Sequence, residues 1–305
     1  MKSFQYLRPE TLSEAISLME RFGAGARPLL GGTDLMVRIQ KGQAEPDAVV
    51  DMKWVGEIPA SIEVEDGMIT VGARVVLADL VCHKQIREYY PALAEAASIV
   101  GSIQIRNRAT LVGNICNASP AADTVPPLMV YGASVTIVGA GSTVVRDTAN
   151  RPMPSGSIVT REVPLQDFFL GPGKSVCGPA ELVVGVKIPV PTPPFGSAFG
   201  RLTRRRGVDL AIINMACAID AAGVTTFVFG AAGPKPILVR DESGQLASTD
   251  LPESKHDELL QSLIDKTSPI SDVRSGEEYR RAMLLTFGRR VLHQAQARRS
   301  AAKMG

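Results

Sequence analysis

Two glycine-containing segments have the residue types needed to hold an anion through the polypeptide backbone. Glycine permits positive φ and lets another group approach the backbone closely, and successive amides in such a turn can converge on an anion. Two such turns that face each other would suit a diphosphate. The first segment follows an extended run and consists of Leu30, Gly31, Gly32, Thr33, Asp34 and Leu35. The second runs from Thr110 to Asn114, where we expect donors from the Thr110 hydroxyl, the Gly113 amide and the Asn114 side chain.

Neither segment matches the glycine pattern of a dinucleotide-binding turn or of a P-loop, and each taken singly is typical of an ordinary tight loop. A carboxylate at Asp123 strengthens the ligand interpretation, because it could accept a hydrogen bond from a ribose hydroxyl. The alternative is that Asp123 is the N-cap of a helix that begins in the apolar run after it. The two roles are compatible.

Two basic segments flank these candidates. Arg106 and Arg108 lie beside the second segment, where one could face the diphosphate; alternatively, Arg106 braces the loop by donating to carbonyls. The stretch 201–206 is the most basic in the chain and could be a solvated strand edge, an interdomain loop, or a contact for a cofactor or partner. Nucleic acid is excluded as a partner, because the stretch has no interleaved aromatic residues and the net charge of the chain is only +2.

The composition is that of an ordinary globular protein. The 305 residues are 45% hydrophobic and 21% charged, and no apolar run approaches the roughly 20 residues needed to cross a bilayer. The N-terminus lacks the apolar region of a signal peptide, so we expect a cytoplasmic location. The four cysteines and three histidines are scattered along the chain, which predicts no metal site and no iron–sulfur cluster on this chain.

The order of elements predicts an α+β fold. The first 55 residues suggest a strand–helix–turn–strand unit, with a capping box from Thr11 to Glu14, and Asp66-Gly67 predicts a hairpin turn. A proline-rich segment at 189–194 predicts a boundary between domains 1–190, with lobes of about 1–55 and 56–190, and 196–305. Further predicted elements are helices at 78–86, 91–100, 253–264 and 277–296, and strands at 134–138, 143–145, 182–188, 212–219, 224–229 and 236–239.

Three blocks, in the order Leu30–Leu35, Gln104–Asp123 and Asp272–Arg280, resemble the FAD-binding medium subunit of the molybdenum hydroxylases, the xanthine dehydrogenase and carbon monoxide dehydrogenase family. The resemblance implies a two-lobed FAD-binding domain of the vanillyl-alcohol-oxidase type, followed by a small antiparallel sheet with helices. It also implies that the two glycine segments hold the FAD diphosphate. The remaining implied cofactor contacts are Asp123 near the adenosine end, Gly101, Ser102, Leu182 and Val183 near the flavin, and Arg201.

Two positions depart from the family pattern. The family often has Gly-Gly where this chain has Val112-Gly113, which affects the second diphosphate segment. Phe199 stands where the family often has Tyr, and it has no hydroxyl to donate to a flavin. A cysteine-rich insertion for an extra iron–sulfur cluster, which some relatives carry, is absent.

The resemblance implies a subunit that transfers electrons and needs no catalytic side chain of its own. A large partner subunit would carry the molybdenum cofactor and a small one the [2Fe-2S] clusters, in a dimer of heterotrimers. NAD+ is the expected electron acceptor, with oxygen, ferredoxin or quinone as alternatives. Two other functions are left open by the sequence: a free-standing FAD-dependent oxidase or reductase, and a cofactor-free assembly subunit.

Overall fold

The computed structural model describes residues 2–141, 158–205 and 207–302. Within these ranges the chain mixes helices and strands, which confirms the predicted α+β class; the strand predicted at 143–145 lies outside the described residues. The strands are β1 (Gln5–Leu7), β2 (Ala26–Leu29), β3 (Ala48–Asp51), β4 (Ile62–Glu65), β5 (Met68–Gly72), β6 (Ser134–Ala140), β7 (Ile158–Pro164), β8 (Phe169–Gly171), β9 (Lys174–Ser175), β10 (Leu182–Pro189), β11 (Gly196–Leu202), β12 (Ile213–Ile219), β13 (Thr225–Gly230) and β14 (Ile237–Asp241). The helices are α1 (Leu12–Phe22), α2 (Leu35–Gln40), α3 (Leu77–Cys82), α4 (Lys84–Tyr89), α5 (Pro91–Ser98), α6 (Ile103–Arg106), α7 (Leu111–Cys116), α8 (Val125–Val130), α9 (Leu165–Phe168), α10 (Glu253–Ile264) and α11 (Glu277–Ala301).

The first lobe is a three-stranded parallel sheet in the order β1-β3-β2, with α1 connecting β1 to β2. Thr11 caps α1 by accepting a 3.2 Å hydrogen bond from the Glu14 N–H. The Glu14 carboxylate reaches back to the N–H of Glu10, one residue earlier than a capping box would place it. The helix ends at Gly23, whose φ is 49°.

The second lobe is built on a five-stranded antiparallel sheet in the order β4-β5-β10-β6-β7. Asp66 and Gly67 have φ values of 49° and 73° and connect β4 to β5, which confirms the predicted hairpin. The main apolar core extends through both lobes and includes residues from α1, β3, β5, β6 and β10.

Two predicted segments differ from the structure. The helix expected at 78–86 is split into α3 and α4 at His83, whose ψ of 125° is extended and therefore interrupts the helical hydrogen bonding. The polar stretch Gly101–Asp123, for which no helix was predicted, contains the short helices α6 and α7. Both helices begin at hydroxyl residues, Ser102 and Thr110, which accept hydrogen bonds from backbone amides three residues later.

The C-terminal part has its own core between the sheet β11-β12-β13-β14 and the helices α10 and α11. The close packing of α11 on β11 depends on Gly196, because a Cβ there would lie 2.0 Å from the Ala295 carbonyl oxygen. Polar contacts join this part to the second lobe: the Ser197 and Tyr131 hydroxyls share a hydrogen bond of 2.6 Å, and Arg298 of α11 pairs with Glu95 of α5. The predicted boundary at 190–196 stays a prediction; it falls between the ends of β10 and β11.

Trp54, the sole tryptophan of the chain, follows β3 and is half exposed, with the Arg8 guanidinium 3.7 Å above its ring centre. Within the described ranges, no helix combines the length and the apolar character that a membrane crossing requires.

Candidate cofactor-binding cleft

A cleft with a cavity volume of about 350 Å³ lies between the glycine turn of the first lobe and the second lobe. It brings together most of the residues singled out from the sequence, although these are far apart along the chain. The predicted residues that line it are Leu30, Gly31, Gly32, Thr33, Asp34, Leu35, Thr110, Gly113, Asn114, Leu182 and Val183. Four predicted residues are not among its lining residues: Gly101, Ser102, Asp123 and Arg201.

The first turn presents unpaired backbone donors to this cleft. Gly32 has a φ of 72°, and its carbonyl accepts a 3.0 Å hydrogen bond from the Met36 N–H as α2 begins. None of the N–H groups from Gly31 to Leu35 donates to another described residue. An anion in the cleft would supply the acceptor that these amides lack.

The same turn is pressed directly against the second anion-binding candidate. A Cβ on Gly31 would lie 2.2 Å from the Arg108 carbonyl oxygen and 2.9 Å from the Ala109 Cα. Only a residue without a side chain lets these two backbone segments approach so closely. The two predicted diphosphate segments are therefore adjacent in space.

The second segment is the first turn of helix α7, and this corrects the expectation of a free Gly113 amide. The Gly113 N–H donates a 2.9 Å hydrogen bond to the Thr110 hydroxyl oxygen, as an N-cap requires. The Thr110 hydroxyl proton stays available to a ligand. Asn114 accepts from Thr124 through its side-chain oxygen at 2.7 Å, so its NH₂ group has no partner among the described residues.

Val112, which replaces a glycine common in the family, does not obstruct the cleft. Its residue surface is only 2% exposed, and its side chain belongs to the main core. The Val112 N–H has no hydrogen-bond acceptor among the described residues. The β-branched side chain thus points into the protein while the amide at this position stays free for an anion.

Asp123 lies in a buried polar cluster outside the cleft lining. Its carboxylate accepts from the Arg201 guanidinium at 3.0 Å and from the Asn214 amide at 2.8 Å. Burial raises the pKa of Asp123 to about 6, because desolvation outweighs the opposing effects of Arg201 and Asn214. The alternative role as an N-cap is wrong, since α8 begins at Val125 with Thr124 as its cap residue. A contact between Asp123 and a cofactor stays a prediction.

The neighbouring arginines brace the backbone near the cleft. Arg106 donates to the Val100 carbonyl at 3.1 Å, which confirms the bracing alternative considered for it. Arg201 donates to the Ile99 carbonyl at 3.0 Å, so both side chains fix the segment that leads from α5 to α6. Val100, within this segment, and Ile105, in α6, line the cleft.

Sequence reasoning missed one wall of the cleft, the segment around the β8–β9 hairpin. Glu181 accepts from Arg161 at 2.9 and 2.7 Å and from the Gly178 N–H at 2.7 Å. The ion pair with Arg161 is the largest cause of the lowered pKa of Glu181. The glycine and proline residues at 171–173 signal a turn, but they do not indicate that it faces a ligand. Lining residues that were not predicted include Arg27, Arg38, Cys116, Asn117, Ser175, Cys177 and Glu181.

Two thiols lie in the cleft, and both are held in the protonated form. Burial raises the pKa of Cys116 and also that of Cys177. A thiol is a poor nucleophile unless it is ionised. The cleft therefore lacks an activated cysteine for covalent attachment of a ligand.

The donor set fits an elongated ligand that is anionic in one part and apolar in another. Free backbone amides and the Asn114 side chain supply anion donors beside Gly31. Apolar side chains line other parts of the cleft and would cover an aromatic ring system; these are Met52, Ile58, Val100, Ile105 and Val183. FAD has both features, a diphosphate and a large planar ring.

Comparison with known proteins identifies the class of protein that has this fold and cleft. The profile for the FAD binding domain in molybdopterin dehydrogenase matches residues 2–149, and that for the CO dehydrogenase flavoprotein C-terminal domain matches residues 198–295. The nicotinate dehydrogenase FAD-subunit of Eubacterium barkeri is 30% identical over 290 residues, which cover 92% of each chain. The carbon monoxide dehydrogenase medium chain of Afipia carboxidovorans is 28% identical over 304 residues, 97% of this chain and 98% of the relative.

A solved structure agrees with these sequence matches. A chain of the reconstituted CO dehydrogenase from Oligotropha carboxidovorans superimposes with a TM-score of 0.84 and 26% identity, covering 97% of this chain and 98% of the other. The class is thus that of flavoprotein subunits of oxidoreductases. The chain belongs to the family of FAD-binding medium subunits of the molybdenum hydroxylases.

Proposed function

We propose that this chain binds FAD non-covalently in the cleft and carries electrons from [2Fe-2S] clusters of a partner subunit to NAD+ or another acceptor. One observation carries the proposal: the backbone amides of Gly31–Leu35 are free, and they line the same cleft as residues of the Thr110–Asn114 segment. Bound FAD supplies the redox chemistry, and the protein supplies position and electrostatics.

The side chains and amides of this chain divide the work of binding. The amides of Gly31–Leu35 and Val112, with the Asn114 NH₂ group, donate to the diphosphate. Leu182 and Val183 lie in the cleft wall as part of β10, where they would cover the ring system and exclude water. Gly101, Ser102, Asp123 and Arg201 remain proposed cofactor contacts that the cleft lining does not include.

The partners follow from membership of the family. We expect a large subunit that holds the molybdenum cofactor and oxidises the organic substrate, and a small subunit that holds the [2Fe-2S] clusters. A dimer of heterotrimers is the proposed assembly. Relatives named as a medium chain and as an FAD-subunit support a role as one component of a larger enzyme.

The test uses the full chain reconstituted with FAD, without any partner. NADH is expected to bleach the flavin absorbance if NAD+ is the acceptor, while purines, aromatic heterocycles and aldehydes leave it unchanged. Bleaching by an organic substrate would replace the proposal with a free-standing flavoenzyme. Failure to take up FAD would leave only an assembly role.

A further inference from the structure

A second, smaller pocket lies behind the glycine turn, and its walls are cationic. It has a cavity volume of about 70 Å³ and shares Leu30, Gly31 and Thr110 with the cleft. Its charged lining residues are Lys53, Arg74 and Arg108, and none of the described residues that line it is a carboxylate. Each of the three comes from a different part of the chain, so the fold assembles the cluster.

The three cations are poorly compensated. Lys53 pairs with Asp51 at 2.6 Å and donates to the Leu30 carbonyl at 3.3 Å. Arg74 donates to the Lys53 carbonyl at 3.0 Å, but its Nε is buried without a partner in the described part of the chain. The Arg108 side chain forms no hydrogen bond or ion pair with any described residue and is exposed. Of the three cations, only Lys53 has a carboxylate partner among the described residues, so the pocket has a net positive charge.

The chemistry of this pocket selects an oxoanion. Guanidinium groups donate in a fixed fork that matches phosphate oxygens, and an ammonium adds a point charge. The side-chain amide of Asn107, also in the lining, can add a neutral donor. A pocket of this size has room for one tetrahedral ion.

We propose that Lys53, Arg74 and Arg108 bind a phosphate-class oxoanion in a pocket separate from the FAD cleft. The two sites meet at the glycine turn, where Lys53 donates to the Leu30 carbonyl and the Arg108 backbone abuts Gly31. The proposal is independent of the electron acceptor and of the partner subunits.

The test is calorimetric titration of inorganic phosphate into the FAD-loaded full chain, with sodium chloride at equal ionic strength as the reference. We expect one saturable site, and we expect Arg108→Gln to weaken phosphate binding about tenfold or more, because a charge-assisted contact is lost. Arg87→Gln, which removes a likewise exposed charge on α4, is the matched control and should bind phosphate as the unmodified chain does. Flavin absorbance of each variant shows separately whether FAD is bound.

Three outcomes would overturn the proposal. The first is the absence of saturable binding beyond the chloride reference. The second is equal affinity in Arg108→Gln and the unmodified chain. The third is phosphate binding that occurs only without FAD and is displaced by FAD, which would place the ion in the diphosphate position of the cleft.

Discussion

Replacing Gly31 by alanine tests whether the contact between the two glycine-containing segments shapes the cleft. The added methyl would lie 2.2 Å from the Arg108 carbonyl oxygen and 2.8 Å from its carbonyl carbon. These atoms belong to the backbone, so no side-chain rotation relieves the overlap. The turn at Gly31 and the segment that leads into α7 must therefore move apart.

The size of the effect follows from this forced separation. Inserting one carbon into a well-packed site costs roughly 1–3 kcal/mol. If that cost falls on the arrangement that binds FAD, the FAD dissociation constant rises by roughly 5- to 150-fold. Any part of the cost that the apoprotein already bears lowers its free energy of unfolding instead, within the same range.

Two other glycines separate steric overlap from backbone strain. Gly56 lacks a positive φ and has no atom within 4 Å of the added Cβ, so Gly56→Ala should change neither FAD affinity nor stability. Gly42 has a φ of 67° and equally open surroundings, so Gly42→Ala reports the strain alone, about 1 kcal/mol of unfolding free energy. Neither residue lines the cleft.

The assay combines FAD titration, followed by flavin fluorescence, with urea unfolding of all three variants. The reasoning predicts weak FAD binding in Gly31→Ala alone. It would be refuted if Gly31→Ala bound FAD as tightly as Gly56→Ala and unfolded at the same urea concentration.

Three further predictions concern the cofactor and the buried carboxylate. Gly32→Val places a β-branched residue at a φ of 72° in the cleft wall, so the flavin content of this variant should collapse. The control is Gly42→Val, which has a φ of 67° in open space and should keep its flavin. Equal flavin loss in both variants would show that backbone strain alone is the cause. Acid precipitation should release all flavin into the supernatant, because the raised pKa values of Cys116 and Cys177 make both thiols poor nucleophiles for covalent attachment. Flavin retained in the pellet would contradict non-covalent binding. The pKa of Asp123 is about 6 in the folded protein and has its ordinary value of 3.8 in the unfolded chain. Between pH 3.8 and pH 6 the folded state therefore binds more protons than the unfolded state, and the folded state loses stability as the pH rises through this range. In urea unfolding, the free energy of unfolding of Asp123→Asn should equal that of the unmodified chain at pH 4 and exceed it at pH 8 by up to about 3 kcal/mol. A difference between the two proteins that does not change with pH would refute the raised pKa.

The parts of the site that the sequence predicts are those with local signals. A glycine pair after an extended run predicts a turn with free amides, and Gly31 and Gly32 form that turn. The Thr110 hydroxyl was predicted to donate to a ligand. The spacing of Thr110 and Gly113 also fits an N-cap, in which the Gly113 amide donates to the Thr110 hydroxyl oxygen and is not free for a ligand. A local pattern alone does not decide between a bond to a ligand and a bond to the helix's own backbone.

The parts that the sequence does not predict depend on contacts between distant segments. Asp123 reads as a turn residue that faces a ligand or caps a helix. Its actual partners include Asn214, 91 positions later, and this packing decides its burial and its pKa. Strand β11 was not predicted, because its two glycines and its arginine interrupt the alternation of apolar and polar residues.

Trp54 gives the protein a single intrinsic optical reporter. It immediately follows Lys53, whose ammonium group contacts the carbonyl of Leu30 at the edge of the glycine turn, and the Arg8 guanidinium covers one face of its ring. No other tryptophan in the chain contributes to the emission. Flavins absorb light at the wavelengths where tryptophan emits, so resonance energy transfer should dim Trp54 when the cleft fills. The fluorescence of Trp54 therefore reports on the folding of the first lobe alone. Unfolding that is confined to the sheet β11–β14 should leave this fluorescence unchanged.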